Sequence, residues 1–209
     1  MTYLKQAKLG APITAKQTAE ILACVDELCA IGAGQNYTRN PNLCGTWRLV
    51  YTTEKEILFI VQNAGIVNTR ADKIFQVLDL RDKRNHTVFN TISLMPKPEK
   101  WVEGMSPADV VFGAFYVVGS LRVQGPQRLK FSFDEAMLKL RDRSLWLPPF
   151  GRGWFDVVYM DELVRVTRDS RGDTSVFVRQ GDVEENEFGG LSITSEIAMP
   201  LARLLGIEP

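Results

Sequence analysis

From Gly45 onward the chain alternates. Trp47, Leu49 and Tyr51 fall on one side of an extended segment, while Arg48, Val50 and Thr52 fall on the other. That is the two-residue period of a β-strand. The habit returns in FQVLDL (75–80), TVFNTISL (87–94), FYVVGSLRVQG (115–125), RLKFSFDEAML (128–138), WFDVVYMDE (154–162), LVRVTRD (163–169) and TSVFVRQ (174–180). These runs are short and rich in Val, Phe, Tyr and Thr, the residues that suit a pleated surface. Turn residues divide most of them: Asp82-Lys83-Arg84-Asn85, Gly125-Pro126 and Ser170-Arg171-Gly172-Asp173. About eight strands in series, most joined by short turns, predict a meandering antiparallel barrel over residues 45–180. Closing the barrel would also remove the unpaired edges of an open sheet.

Before Gly45 the period is helical. Ile21, Leu22, Val25, Leu28 and Cys29 recur at the spacing of one helix face, behind a Thr14-x-x-Gln17 capping box. A helix over 14–33 follows, ended by Gly32 and Gly34, and the polar stretch 34–44 reads as a linker. Three later segments do not fit a plain meander. Residues 57–61 (ILFIV) are apolar on every side and suit a short helix at the barrel mouth. Residues 145–155 (LWLPPFGRGWF) form a Pro/Gly loop loaded with aromatics. Residues 193–206 place Ile193, Ile197, Leu201 and Leu204 at helical spacing around Pro200, a short C-terminal helix. The organisation expected is a single, mainly β domain over 1–209. It has an N-terminal helix, a barrel, and an acidic loop with an amphipathic C-terminal segment over 181–209.

Composition narrows the function more than the fold. The 209 residues carry 25 Lys and Arg against 25 Asp and Glu, which gives no electrostatic reason to expect nucleic acid. Cys24, Cys29 and Cys44 are odd in number, and two fall on the apolar helix face, so buried thiols in a reducing compartment are expected. No apolar run approaches the roughly 18 residues that would span a bilayer, and no signal-peptide block opens the chain. The single histidine, His86, lies in the charged turn DKRNH, so no Ser-His-Asp or Cys-His device has sequence support. No zinc spacing and no phosphate-binding glycine loop occurs. Asp156 and Asp161 could do acid–base work, though nothing in the sequence marks their pKa values. The expectation is a protein that is not an enzyme and holds no metal.

Two separated motifs then point to a family. Leu43-x-Gly45-x-Trp47-x-Leu49-x-Tyr51-Thr52-Thr53, placed after a helix, resembles the start of the plastid lipid-associated proteins, or fibrillins. Gly153-x-x-Asp156-x-x-Tyr159-x-Asp161-Glu162-x-x-Arg165-x-x-Arg168 resembles that family's C-terminal signature, except that Asp169 stands where a Gly is usual. The resemblance covers roughly residues 14–180. It implies a lipocalin-like barrel at thylakoids or lipid globules (plastoglobules) of a chloroplast, or at a cyanobacterial thylakoid. It also implies a role in binding or carrying lipids, quinones or carotenoids, often in photoprotection. Some members resemble partners of prenylquinone-synthesis enzymes.

The motif residues have physical roles to fill. Trp47 is placed to close one end of the barrel beneath an Arg from a late strand, Arg165 or else Arg179, with Gly45 letting the backbone pass close. Asp156, Arg165 and Arg168 read as structural. Tyr159 and Asp161 read either as part of a rim ion pair with Arg165 or as contacts to a polar ligand head. Val117, Leu121, Phe131, Phe133 and Tyr51 are the candidate interior lining, together with Val164, Val166, Val176 and Val178, and Gly119 leaves a gap among them. Such a barrel can be filled by side chains or can hold one small apolar ligand. Trp146, Leu147, Phe150 and Trp154 are candidates for contact with a membrane surface or a membrane-protein complex, or else for covering the barrel mouth.

Overall fold

Thr14 caps the first helix, α1 (Ala15–Gly32): its hydroxyl accepts from the Gln17 backbone N–H, and the Gln17 side chain accepts from the Thr14 N–H. The computed structural model describes residues 14–64, 69–96, 113–140, 143–149 and 151–183. Phe150 and the segment 184–209, with the expected C-terminal helix, lie outside the described residues. After α1 two 3-10 turns (Tyr37–Arg39 and Pro41–Leu43) lead into β1 (Gly45–Thr52). A short helix, α2 (Lys55–Asn63), precedes β2 (Thr69–Asp79), β3 (His86–Pro96), β4 (Gly113–Val123) and β5 (Arg128–Leu140). Then come β6 (Arg143–Leu147), β7 (Arg152–Met160), β8 (Val164–Asp169) and β9 (Thr174–Gly181).

The pairing closes a ring. Strands β1 to β5 follow one another, β5 passes to β7, and β7, β8 and β9 return to β1, every pairing antiparallel. The result is the expected eight-stranded barrel, with β6 as a ninth strand outside the ring. The first half of β5 pairs with β7 (Arg128 opposite Asp156) and its second half with β6 (Leu138 opposite Leu145). The wall from β2 to β6 therefore stands taller than the wall from β7 to β9. Residues 145–147, expected at the start of a loop over 145–155, belong to β6.

Two apolar layers hold the barrel. Inside, Trp47, Leu49, Leu78, Val88, Leu121, Leu129, Val157 and Phe177 form one buried cluster. Outside, α1 lays Ile21 and Val25 on Val50, Val164, Val166 and Val176. The valines of β8 and β9 thus lie under α1 instead of lining the interior as expected. Their alternate neighbours, Arg165 and Phe177, face inward. Cys24, expected among buried thiols, is exposed, while Cys29 and Cys44 are half-buried.

Glycine matters at two close approaches. Gly45 has φ +150°, and a Cβ there would stand 2.8 Å from the Gly181 carbonyl oxygen. Gly119 sits where β5 bulges past β4, and a Cβ would stand 2.2 Å from the Ser132 carbonyl oxygen. Gly119 therefore admits a neighbouring backbone, and does not open the expected interior gap.

Candidate functional site

The two ends of the barrel differ in chemistry. At the lower end the 3-10 turns bring Tyr37 and Leu43 beneath the strands, and Leu43, Trp47, Leu78, Leu129 and Val157 are almost completely buried. The Trp47 indole N–H donates to the Leu43 carbonyl at 3.1 Å. The Arg165 guanidinium lies 4.8 Å from the Trp47 ring and 4.4 Å from the Phe177 ring, and the Arg179 guanidinium lies 5.4 Å from Trp47. Arg179 is tied down by the carbonyls of Asn42 and Cys44 and by Asp182. This end is closed.

At the upper end the inward side chains are only half-buried. Phe115 on β4, with Phe131, Phe133, Leu138 and Leu140 on β5, packs on the edge of the inner cluster with surface left open. The Phe131 and Phe133 rings stand 4.9 Å apart, and Phe155 joins them at 6.3 Å from Phe131. Helix α2 crosses this opening, because β1 ends in the Thr52–Glu54 turn, and presents Ile57, Ile60 and Val61 to the same cluster. Opposed residues of an antiparallel pair share a face, so Leu145 and Leu147 of β6, opposite Leu138 and Ala136, extend this surface. Leu145 is 57% exposed, and Phe59 on α2 is 65% exposed. The mouth is an apolar, aromatic surface under a helix of nine residues.

A polar rim borders the mouth on its low side. Ser175 donates to Glu54 at 2.6 Å and lies 2.8 Å from the Thr52 hydroxyl. Burial pushes the Glu54 carboxyl above the usual carboxylate range, with Asp169 and Asp173 adding to the rise while Ser175 and Arg171 oppose it. Arg171 pairs with Glu56 and Asp169, fastening α2 to the β8–β9 turn.

Between floor and mouth a short polar chain crosses the interior. Gln76 and Asn90 face inward, since Ile74, Leu78, Val88 and Ile92 around them belong to the inner cluster. Arg165 Nη2 donates to Gln76 Oε1 at 2.5 Å, and Gln76 Nε2 donates to Asn90 Oδ1 at 3.0 Å. Nothing in the sequence separated these two amides from ordinary strand residues.

The residues expected at the site are distributed unevenly. Phe131, Phe133, Leu121 and Val117 face the interior; Val117 lies opposite Asn90 and Ala136. Tyr51 does not: a register shift between Leu49 and Tyr51 turns it outward beneath α1. Tyr159 is also outside, turned by a shift between Val157 and Tyr159, and its hydroxyl donates to Asp161 at 2.9 Å. The expected Asp161–Arg165 pair is not formed. Asp161 accepts from the Leu163 and Val164 N–H groups in an exposed turn, whereas Arg165 is buried inside. Asp156 forms a two-pronged pair with Arg128 at 2.7 and 2.8 Å, and Arg128 covers Trp154 at 3.6 Å. Arg168 pairs with Asp26 of α1. Trp146 lies on the outer face of β6 with Met137, 62% exposed.

Among the described residues no three His, Cys, Asp or Glu side chains are placed to hold a metal. No helix among them is long and apolar enough to cross a membrane. In sequence comparison, the PAP_fibrillin family model matches residues 1–147. The chain is 37% identical over 158 residues to the Arabidopsis thaliana "Probable plastid-lipid-associated protein 11, chloroplastic", covering 76% of this chain and 66% of that one. It is 23% identical over 192 residues to the Arabidopsis thaliana "Plastid-lipid-associated protein 6, chloroplastic", covering 81% of this chain and 64% of that one. The chain thus spans about two thirds of the length of these curated relatives.

Proposed function

We propose that this chain, which belongs to the PAP/fibrillin family of plastid lipid-associated proteins, holds one apolar molecule (a lipid, quinone or carotenoid) in the upper half of its barrel. The observation that carries the reading is the contrast between the two ends. Trp47, Leu78, Leu129 and Val157 fill the floor, while the inward Phe115, Phe131, Phe133, Leu138 and Leu140 retain open surface. Aromatic surface left exposed to water costs about 25 cal/mol per Å2, and an apolar guest removes that cost. The reading involves no chemical step. The protein withdraws the guest from water and presents it at a plastid or thylakoid membrane, matching the chloroplastic relatives.

The test is to incubate the purified protein with a thylakoid lipid extract, repurify it and extract it with solvent for mass spectrometry. One apolar compound in near-stoichiometric amount supports the carrier; an empty extract refutes it. A second reading rests on the outer face of β6. Among the described residues that strand pairs along one edge only, and its Trp146 is exposed, features of a strand-pairing or membrane-interface contact. Under that reading Trp146→Ser abolishes association with thylakoid vesicles and leaves lipid content unchanged.

A further inference from the structure

Arg165 is the largest charged side chain in the core and is 0% exposed. A guanidinium has five N–H donors lying in its plane and none on its faces. The guanidinium carbon lies over the Trp47 and Phe177 rings, 4.8 and 4.4 Å from their centroids. On the edges, Nη2 meets Gln76 Oε1, while Nε and Nη1 have no acceptor among the described residues. Stacking on aromatic rings therefore accounts for the position of Arg165 and leaves most of its donors unused. No acid among the described residues answers its charge either. The neighbouring charge is Arg179, of the same sign and already paired with Asp182. A buried charge without a counter-charge costs several kcal/mol, and a guanidinium keeps its proton at neutral pH.

Gln76 and Asn90 are packed less tightly than Arg165, which has no accessible surface of its own, so a guest must part the side chains above it. Both face inward and both keep accessible surface, unlike the floor residues Leu78 and Val88 beside them. Their amides continue the donor and acceptor row from Arg165 toward the wall below Phe115 and Leu138. The interior so combines one cation with free donors, two amides, and an apolar mouth above.

We propose that the guest is an amphiphile with an anionic carboxylate head, a long-chain fatty acid or its like. Its head docks on Arg165 Nε and Nη1 beside Gln76 and Asn90, and its chain runs up between Phe131, Phe133 and Leu138. The inference rests on the reading that the barrel holds an apolar guest and specifies the chemistry of that guest. A carboxylate suits the site because it supplies both the missing charge and two acceptors at the spacing of a guanidinium edge. A carotenoid hydrocarbon would supply neither.

The test is competitive displacement of an apolar fluorophore from the delipidated full chain by oleate, methyl oleate and oleyl alcohol. Oleate is expected to compete at least about tenfold better than the ester and the alcohol, the size of one charge-assisted hydrogen bond. In Arg165→Gln that preference disappears while ester binding is retained. If all three compete equally, the head-group site is wrong and the carrier reading stands. If none displaces or replaces the fluorophore, both fall. If Arg165→Gln keeps the preference, the carboxylate sits elsewhere, at Arg171 on the rim for instance, and the assignment to Arg165 is overturned. Should Arg165→Gln fail to fold, the 15Nε resonance of Arg165 in the unaltered protein decides. It shifts with oleate and not with the ester if the proposal holds, and an unmoved resonance overturns it.

Discussion

Replacing Trp47 by Ala removes the central side chain of the closed end. The indole is completely buried, and burying about 200 Å2 at about 25 cal/mol per Å2 is worth about 5 kcal/mol. Truncations of this kind cost about 3–5 kcal/mol because the surroundings only partly collapse. The lost N–H bond to Leu43 leaves that carbonyl unsatisfied, adding about 1 kcal/mol. Arg165 also loses one of its two stacking partners. A total of about 4–6 kcal/mol is comparable with the whole stability of many domains, about 5–15 kcal/mol. In urea titrations followed by far-UV circular dichroism, Trp47→Ala should be largely unfolded or have a midpoint far below the unaltered protein. Trp47→Phe, which keeps an apolar ring and loses the N–H, should cost about 1–3 kcal/mol. A Trp47→Ala variant within about 1 kcal/mol of the original would refute the closed floor.

Other expectations follow from the mouth and the outer faces. Leu138→Asp should abolish uptake of an apolar fluorophore while costing less Tm than a charge in the floor would, because Leu138 is only partly buried; unchanged uptake would count against the mouth. Glu54 has a folded pKa raised above its unfolded value, so its ionisation opposes folding and stability from this group is gained as pH falls through the folded pKa. Glu54→Gln should therefore raise Tm at pH 7 and flatten the Tm profile just above the ordinary carboxylate range; a lower Tm at pH 7 would contradict the burial argument. Gly119→Ala must displace the β5 bulge, since its Cβ would meet the Ser132 carbonyl at 2.2 Å; thermal melts should show a loss of about 2 kcal/mol or more. Asp156→Asn should lower Tm slightly at low salt and not at high salt, as expected of a pair at the surface.

Period-two alternation located eight strands because each barrel strand has an inner and an outer face. It could not say which was which once α1 covered the outer face. In VRVTRD the valines look like interior lining, yet they lie beneath α1, and it is Arg165 between them that lies inside, over Trp47. Alternation places Tyr51 on the inner side with Trp47 and Leu49, but a register shift beside it reverses the parity, and a similar shift turns Tyr159 outward. Strand β6 is hard to see in the sequence because its five residues run into Pro148-Pro149 and, among the described residues, pair only with the end of β5. Trp47 and the apolar β5 face were readable because size and composition alone made them core. Gln76 and Asn90 were not, because their importance comes from Arg165, which is distant in sequence.

The central claim is that a guest occupies the upper barrel while the floor stays filled. Methyl-labelled NMR during titration with oleate tests it directly. Signals from Ile57, Ile60, Leu138 and Leu140 should move in a saturable, one-to-one manner, while those of Leu43 and Leu129 stay in place. Movement confined to Leu145 and its neighbours on β6, or no saturable movement at all, would contradict the account.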